Sequence, residues 1–307
     1  MRIAAMAAGA VGGYFGARMA DAGHDVFFIA RGGHLEAIRK NGLKIESVHG
    51  DLHLAKPNIT DDPAKVGPVD IVLFAVKLWD TEKAAQAARA LLGPDSRLIT
   101  FQNGVDSVER LGAVLGAERV IGGAAYIATV IASPGIIRHT SSFAMMRFGR
   151  ADKKPDAKLQ AFADAAKTAK LDVAISPDIE RALWEKFIFL TAMSGATAAL
   201  RSPIGPIRQD AELRAFFRGL MEEAFAVGKA KGVALDNNYI DERMDFLMNK
   251  VEPAMKASMA HDLERGNRLE LDWLAGKVRT LGRELGIATP ASDTVYTVLK
   301  LHRMGTH

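Results

Sequence analysis

The strongest constraint on the fold lies in the first 30 residues. A short apolar run, Arg2 to Met6, leads into Ala7-Ala8-Gly9-Ala10-Val11-Gly12. A segment of helical composition, Ala10 to Ala22, follows and stops at Gly23, and Asp25 to Ala30 reads as a second strand. Strand, glycine-containing turn, helix and returning strand make a βαβ unit of dinucleotide-binding type. The rhythm continues. Ile71 to Val76, Arg97 to Phe101 and Val120 to Ala124 read as strands, with Asp80 to Leu92 and Ser107 to Leu115 as helices between them. Such alternation predicts a mostly parallel sheet covered on both faces. Leu43 to Leu54 breaks the rhythm and predicts an antiparallel pair. Gly135 to Gly149 predicts strands with turns, and both are expected at the sheet's edge.

After about residue 176 the pattern changes. Asp178 to Leu200, Asp210 to Lys231, Ile240 to Val251 and Asn267 to Leu285 read as long helices, and strand-like runs cease. The change falls at Ser176-Pro177, where proline restricts the backbone. The expectation is an α/β chain: a Rossmann-type doubly wound sheet over residues 1–176, then an all-helical domain over 177–307. The length of 307 residues and the 49% apolar content suit two domains with cores of their own.

Composition narrows the function. The net charge is +4, with Lys and Arg scattered rather than gathered on one stripe, so no nucleic-acid partner is expected. There is no cysteine, which excludes disulfides, thiolate metal sites and a cysteine nucleophile. No HExxH or clustered His/carboxylate set points to a metal. The apolar runs are too short for a bilayer, and the start does not read as a signal peptide, so a cytoplasmic protein without a membrane partner is expected.

The turn carries the chemistry of the first half. Gly9 would let a pyrophosphate approach the backbone. Gly12 would let the helix pack closely on the strand, and the helix N-terminus offers N–H groups to phosphate. Ala7 stands where the first glycine of G-x-G-x-x-G belongs. The second strand ends Phe28-Ile29-Ala30-Arg31 with no acid to bind a ribose 2′-OH. A guanidinium there suits a 2′-phosphate, hence NADP rather than NAD, although an arginine can also simply open a surface loop. Lys77 and Asn103 follow strands in the same way, where ligands bind in doubly wound sheets. Each could equally be an ordinary loop residue.

In the second half, Phe187 to Leu200 carries no charge, so that helix should be buried, with Lys186 at its entrance. Lys186, Leu190, Met193, Ser194 and Thr197 share one helical face. Ser258 and Glu270 would lie about 120° apart on an unbroken helix, but Gly266-Asn267 should break it, so both could face one cleft. A solvated charged helix is the plain alternative.

Taken in order, Met1-Arg2-Ile3 to Gly12-Gly13, the strand ending in Arg31, Val76-Lys77, Gln102-Asn103-Gly104, Trp184-Glu185-Lys186 and Ser258 to Glu270 resemble the ketopantoate reductase family (2-dehydropantoate 2-reductase, ApbA/PanE type) through nearly the whole chain. The resemblance implies NADPH-dependent reduction of a 2-oxo acid, 2-dehydropantoate to pantoate, in pantothenate biosynthesis. It implies Ala7, Ala8, Gly9, Ala10, Val11 and Gly12 around the pyrophosphate, and Arg31 and Lys77 at the 2′-phosphate end. Ala128 would touch cofactor, and Asn103 both cofactor and substrate. Lys186 would be the proton donor, Ser258 a substrate ligand, and Glu270 a second catalytic residue near nicotinamide and substrate hydroxyl. Leu190 and Ser194 stand in substrate positions where the family often carries Asn. Leu190 cannot hydrogen-bond, which leaves open a related 2-hydroxyacid dehydrogenase with a less polar substrate. A non-catalytic NADP-binding regulator is a further alternative, and a homodimer is compatible with either.

Overall fold

The computed structural model describes residues 1–306. Its strands are β1 (Arg2–Met6), β2 (Asp25–Ile29), β3 (Leu43–Ser47), β4 (Leu52–Leu54) and β5 (Asn58–Thr60), then β6 (Val69–Phe74), β7 (Leu92–Thr100), β8 (Val120–Ser133), β9 (Ile136–Gly149) and β10 (Asp172–Ile175). The helices of the same region are α1 (Ala10–Asp21), α2 (Gly32–Asn41), α3 (Thr81–Ala88), α4 (Ser107–Leu115) and α5 (Ala157–Thr168). The chain divides into two compact units, Met1–Ala182 and a second beginning at Leu183.

The first unit is a ten-stranded sheet in the order β4-β3-β9-β8-β7-β6-β1-β2-β5, with β10 paired to β9. Strands β8, β7, β6, β1, β2 and β5 run parallel. Their side chains alternate between two cores, as a sheet covered on both faces requires. Ile3 and Ala5 of β1 with Ile71 and Leu73 of β6 enter one core. Ala4 and Met6 with Val72 and Phe74 enter the other. Helix α1 comes close to this sheet because its glycines allow it. A Cβ on Gly16 would lie 2.9 Å from the Phe28 ring.

The Rossmann-type expectation holds, one of the two edge readings holds with it, and the other needs correction. Leu43 to Leu54 is an antiparallel pair, β3 with β4, at one edge of the sheet. Gly135 to Gly149 is instead one long strand, β9, inside the sheet. It folds back antiparallel on β8 and also pairs parallel with β3 at its start and with β10 at its end. Its short turn reveals the reversal but not the neighbour waiting beyond it.

The second unit is helical: most of α6 (Ile179–Ala199), then α7 (Ile204–Gln209), α8 (Ala211–Ala230), α9 (Tyr239–Asn249), α10 (Ser258–Glu264), α11 (Ala275–Leu285) and α12 (Pro290–Leu299). Small residues set its packing. A Cβ on Gly195 of α6 would lie 3.3 Å from Val295 of α12 and 3.4 Å from Leu220 of α8. Glu223 of α8 accepts the Ala291 and Ser292 N–H groups at 2.6 and 2.8 Å, capping α12 from another helix. Asn267 to Leu285 is not one helix. Gly266 takes a left-handed φ of +67°, and regular helix resumes only at Ala275. In between, Leu269 donates to the distant Arg303 carbonyl at 2.9 Å, and Trp273 and Leu274 close a short turn on the Glu270 carbonyl. No described helix is long and apolar enough to cross a membrane.

Candidate active site

The parallel register gathers the sequence candidates of the first unit at one end of the sheet. Met6 pairs with both Ile29 and Phe74, and Phe74 pairs with Thr100. The turn after β1, Arg31 after β2, Lys77 after β6 and Asn103 after β7 therefore leave the sheet at its carboxyl edge. β1 lies between β2 and β6, so the chain reverses its winding there, and such a switch point opens a crevice.

Gly9 caps α1 with φ −75° and ψ −164°, and no acid occupies the helix's first turn. A Cβ on Gly9 would meet nothing within 4 Å, whereas one on Gly12 would lie 2.2 Å from the Ala7 carbonyl oxygen. The two glycines thus differ in role: Gly12 is required by the turn itself, and Gly9 keeps its outer surface bare. Ala7 is not among the residues of left-handed backbone, so its Cβ is accommodated there. Ala8 is buried and donates its N–H to Ile29 at 2.7 Å. Ala10 and Val11 open the helix, half-buried.

Arg31 is exposed at the start of α2, and Lys77 is exposed with its Nζ 5.5 Å from the centre of the Trp79 ring. Asn103 is half-buried. The buried Gln102 beside it donates from its amide to Val76 O at 3.1 Å and to Thr81 Oγ1 at 2.8 Å. That side chain ties the end of β7 to the residue before Lys77. Ala128 lies further out. Thr100 pairs with Gly122, and Ala128 sits on β8 beyond that pair, at a shift in the β8–β9 register. Its N–H is engaged by Ser141 Oγ at 3.0 Å. The bare Gly9 surface and the acid-free helix end fit the pyrophosphate of a nicotinamide dinucleotide.

The second unit holds the other candidates. Lys186 lies on α6, preceding its wholly buried stretch. Burial pushes its ammonium down to about 8, against the opposing influence of the Glu270 carboxylate. Glu270 is itself only 6% exposed. Ser258 is the exposed first residue of α10. Ala257 before it donates to Thr197 Oγ1 at 3.3 Å, and that hydroxyl donates to Met193 O at 2.6 Å. Thr197 so pins the start of α10 to α6, the helix of Lys186. Leu190 keeps part of its surface, whereas Ser194 is fully enclosed and its hydroxyl has no hydrogen-bond partner among the described residues. Sequence reasoning missed Gln102 and Thr197 as organising side chains; their only signal was position beside Asn103 and on the Lys186 face.

The profile of the family described as "Ketopantoate reductase PanE/ApbA" matches residues 3–153, and that of its C-terminal domain matches residues 178–303. The chain belongs to the ketopantoate reductase family. The family's 2-dehydropantoate 2-reductase of Mesorhizobium japonicum is 31% identical to it, covering 98% of this chain and 97% of its own. The oxidoreductase YkpB of Bacillus subtilis, described as uncharacterized, is 30% identical over 98% of this chain and 99% of its own. The crystal structure of a PanE/ApbA family ketopantoate reductase from Ralstonia eutropha JMP134 superposes with a TM-score of 0.90 at 33% identity, covering 99% of this chain and 98% of that one. This is a family of oxidoreductases acting on 2-oxo acids, and its fold is the one described above.

Proposed function

We propose that this ketopantoate reductase homologue reduces a 2-oxo acid with NADPH, with 2-dehydropantoate as substrate and pantoate as product. The observation that carries the reading is the Lys186 amine, held near 8 by burial with a buried carboxylate beside it. An amine so tuned stays largely protonated at neutral pH yet gives up its proton far more readily than an ordinary lysine. Residues 1–176 form the cofactor domain on this reading and 177–307 the substrate and catalytic domain.

Gly9 and the first turn of α1 receive the pyrophosphate through backbone N–H groups, with Ala7, Ala8, Ala10, Val11 and Gly12 shaping the turn. Arg31 and Lys77 take the 2′-phosphate, which selects NADP over NAD. Asn103 and Ala128 complete the cofactor contacts. The bound dinucleotide supplies a hydride to the carbonyl carbon. The chain does the rest. Lys186 stabilises charge gathering on the carbonyl oxygen and delivers a proton to it. Glu270 holds Lys186 in its charged form and faces the nascent hydroxyl. Ser258 and Asn103 orient the substrate, Leu190 offers an apolar wall, and Ser194 backs that wall from within the helix.

Leu190 supports a second reading, in which the preferred 2-oxo acid carries a less polar side chain. Both readings are tested by following NADPH oxidation with 2-dehydropantoate and a panel of branched and aromatic 2-oxo acids. Fastest turnover of 2-dehydropantoate supports the first; fastest turnover of an apolar acid supports the second. No turnover of any 2-oxo acid would sink both.

A further inference from the structure

We propose that His34 is a positioning residue of the dinucleotide turn, fixing the Ala8–Gly9 peptide against α2 and the β8–β9 hairpin. The proposal rests on the reading of Ala7 to Gly12 as the pyrophosphate turn. His34 lies in the first turn of α2, three residues past Arg31. Both ring nitrogens are engaged. The Gly135 backbone N–H donates to Nδ1 at 3.1 Å, and Nε2 stands 3.0 Å from the Ala8 carbonyl oxygen. An amide N–H only donates and a carbonyl only accepts, so the partners assign the neutral ring with its hydrogen on Nε2. Burial lowers the affinity of this ring for a second proton, in agreement with that assignment.

The position of the bond gives it its consequence. Ala8 is held from both sides, its N–H by Ile29 of β2 and its carbonyl by His34 of α2. A peptide unit is planar, so fixing the Ala8 carbonyl also fixes the direction of the Gly9 N–H on the far side of the same plane. Gly9 is the residue whose outer surface is bare at the start of α1. The same ring stands on the helix that Arg31 opens. It therefore sets the separation between the pyrophosphate turn and the guanidinium proposed for the 2′-phosphate. Gly135 anchors the other end of the ring. Its φ is +84°, and its carbonyl accepts from Lys44 of β3 at 2.9 Å, which braces the hairpin turn against the sheet.

The test compares three variants with the full-length parent: His34→Ala, His34→Phe, which keeps a ring without its polar edge, and His34→Gln, whose amide carries one acceptor and one donor. Equilibrium NADPH binding, apo melting temperature, and kcat and cofactor KM are measured for each. Binding should weaken about tenfold or more in the Ala and Phe variants, with cofactor KM rising and kcat at saturation nearly unchanged, and Gln should restore most of the affinity. NADPH binding by His34→Phe equal to that of the parent overturns the proposal. So does a loss in His34→Gln as large as in His34→Phe. If the Phe variant does not fold, His34→Asn, too short to reach both partners, takes its place under the same criteria. A parent protein that binds neither NADPH nor NADH overturns the cofactor reading and this proposal together, whereas a binding parent with unaffected variants overturns this proposal alone.

Discussion

The sharpest prediction concerns the pair Lys186 and Glu270. Burial lowers the Lys186 ammonium from 10.5 to about 8, while Glu270 acts to raise it. That difference corresponds to about 3 kcal/mol between the protonated and neutral forms. If Lys186 is the acid, only its protonated form is competent. At pH 7 an amine of pKa about 8 is roughly 90% protonated, so activity should be near its plateau there. kcat/KM should then fall tenfold per pH unit above about 8. Glu270→Gln should move this alkaline limb to lower pH, because the carboxylate that favours the charged amine has gone. A displacement of about one pH unit is the scale of ~1.4 kcal/mol of lost attraction. Lys186→Ala should remove the limb and reduce kcat by about 10²-fold or more, with NADPH binding little changed. The assay is NADPH oxidation with the best 2-oxo acid from about pH 6 to about pH 10, in buffers of constant ionic strength. A profile that stays flat to pH 10, or a Glu270→Gln limb displaced to higher pH, would refute the assignment of Lys186 as the proton donor.

Three further outcomes are expected. Arg31→Ala should raise the KM for NADPH by about tenfold or more and leave the KM for NADH nearly unchanged, since only the former carries the 2′-phosphate; equal losses with both would remove Arg31 from the phosphate site. Gly9→Ala should leave the apo melting temperature unchanged or slightly higher and weaken NADPH binding, because its Cβ meets no protein atom. Gly12→Ala, whose Cβ would stand 2.2 Å from a backbone oxygen, should lower the melting temperature by several degrees, about 1–3 kcal/mol of overpacking. Calorimetry and cofactor titration separate the two glycines, and identical behaviour would contradict the roles given to them. Leu190→Asn should raise turnover of 2-dehydropantoate relative to branched apolar 2-oxo acids; an unchanged ratio would place Leu190 outside the pocket.

How much of this was legible beforehand varies by residue. The β1 turn was fully visible, because a strand, Gly9, Gly12 and a helix follow one another without interruption. Helix α4 was visible at both ends, since Gly116 stops it with a positive φ. Helix α2 escaped notice. It begins with two glycines, and only Leu35 and Ile38 are buried along it, too few to make a period. His34 escaped with it, for its partners Ala8 and Gly135 are far away in sequence. The break after Gly266 was anticipated, yet the delay of regular helix to Ala275 was not, because it depends partly on a long-range bond, Leu269 donating to the Arg303 carbonyl.

The sequence by itself determined the succession of elements, the nature of the turn after β1, the absence of an acid where β2 ends, and the buried character of the helix that follows Lys186. These are local properties, written in spacing and side-chain chemistry. Tertiary structure decided which strands are neighbours, that β9 runs inside the sheet, and that the ends of β1, β2, β6 and β7 come level. It also decided the acidity of Lys186. Hydrogen-bond register and desolvation depend on groups distant along the chain, and spacing within a segment carries no record of them.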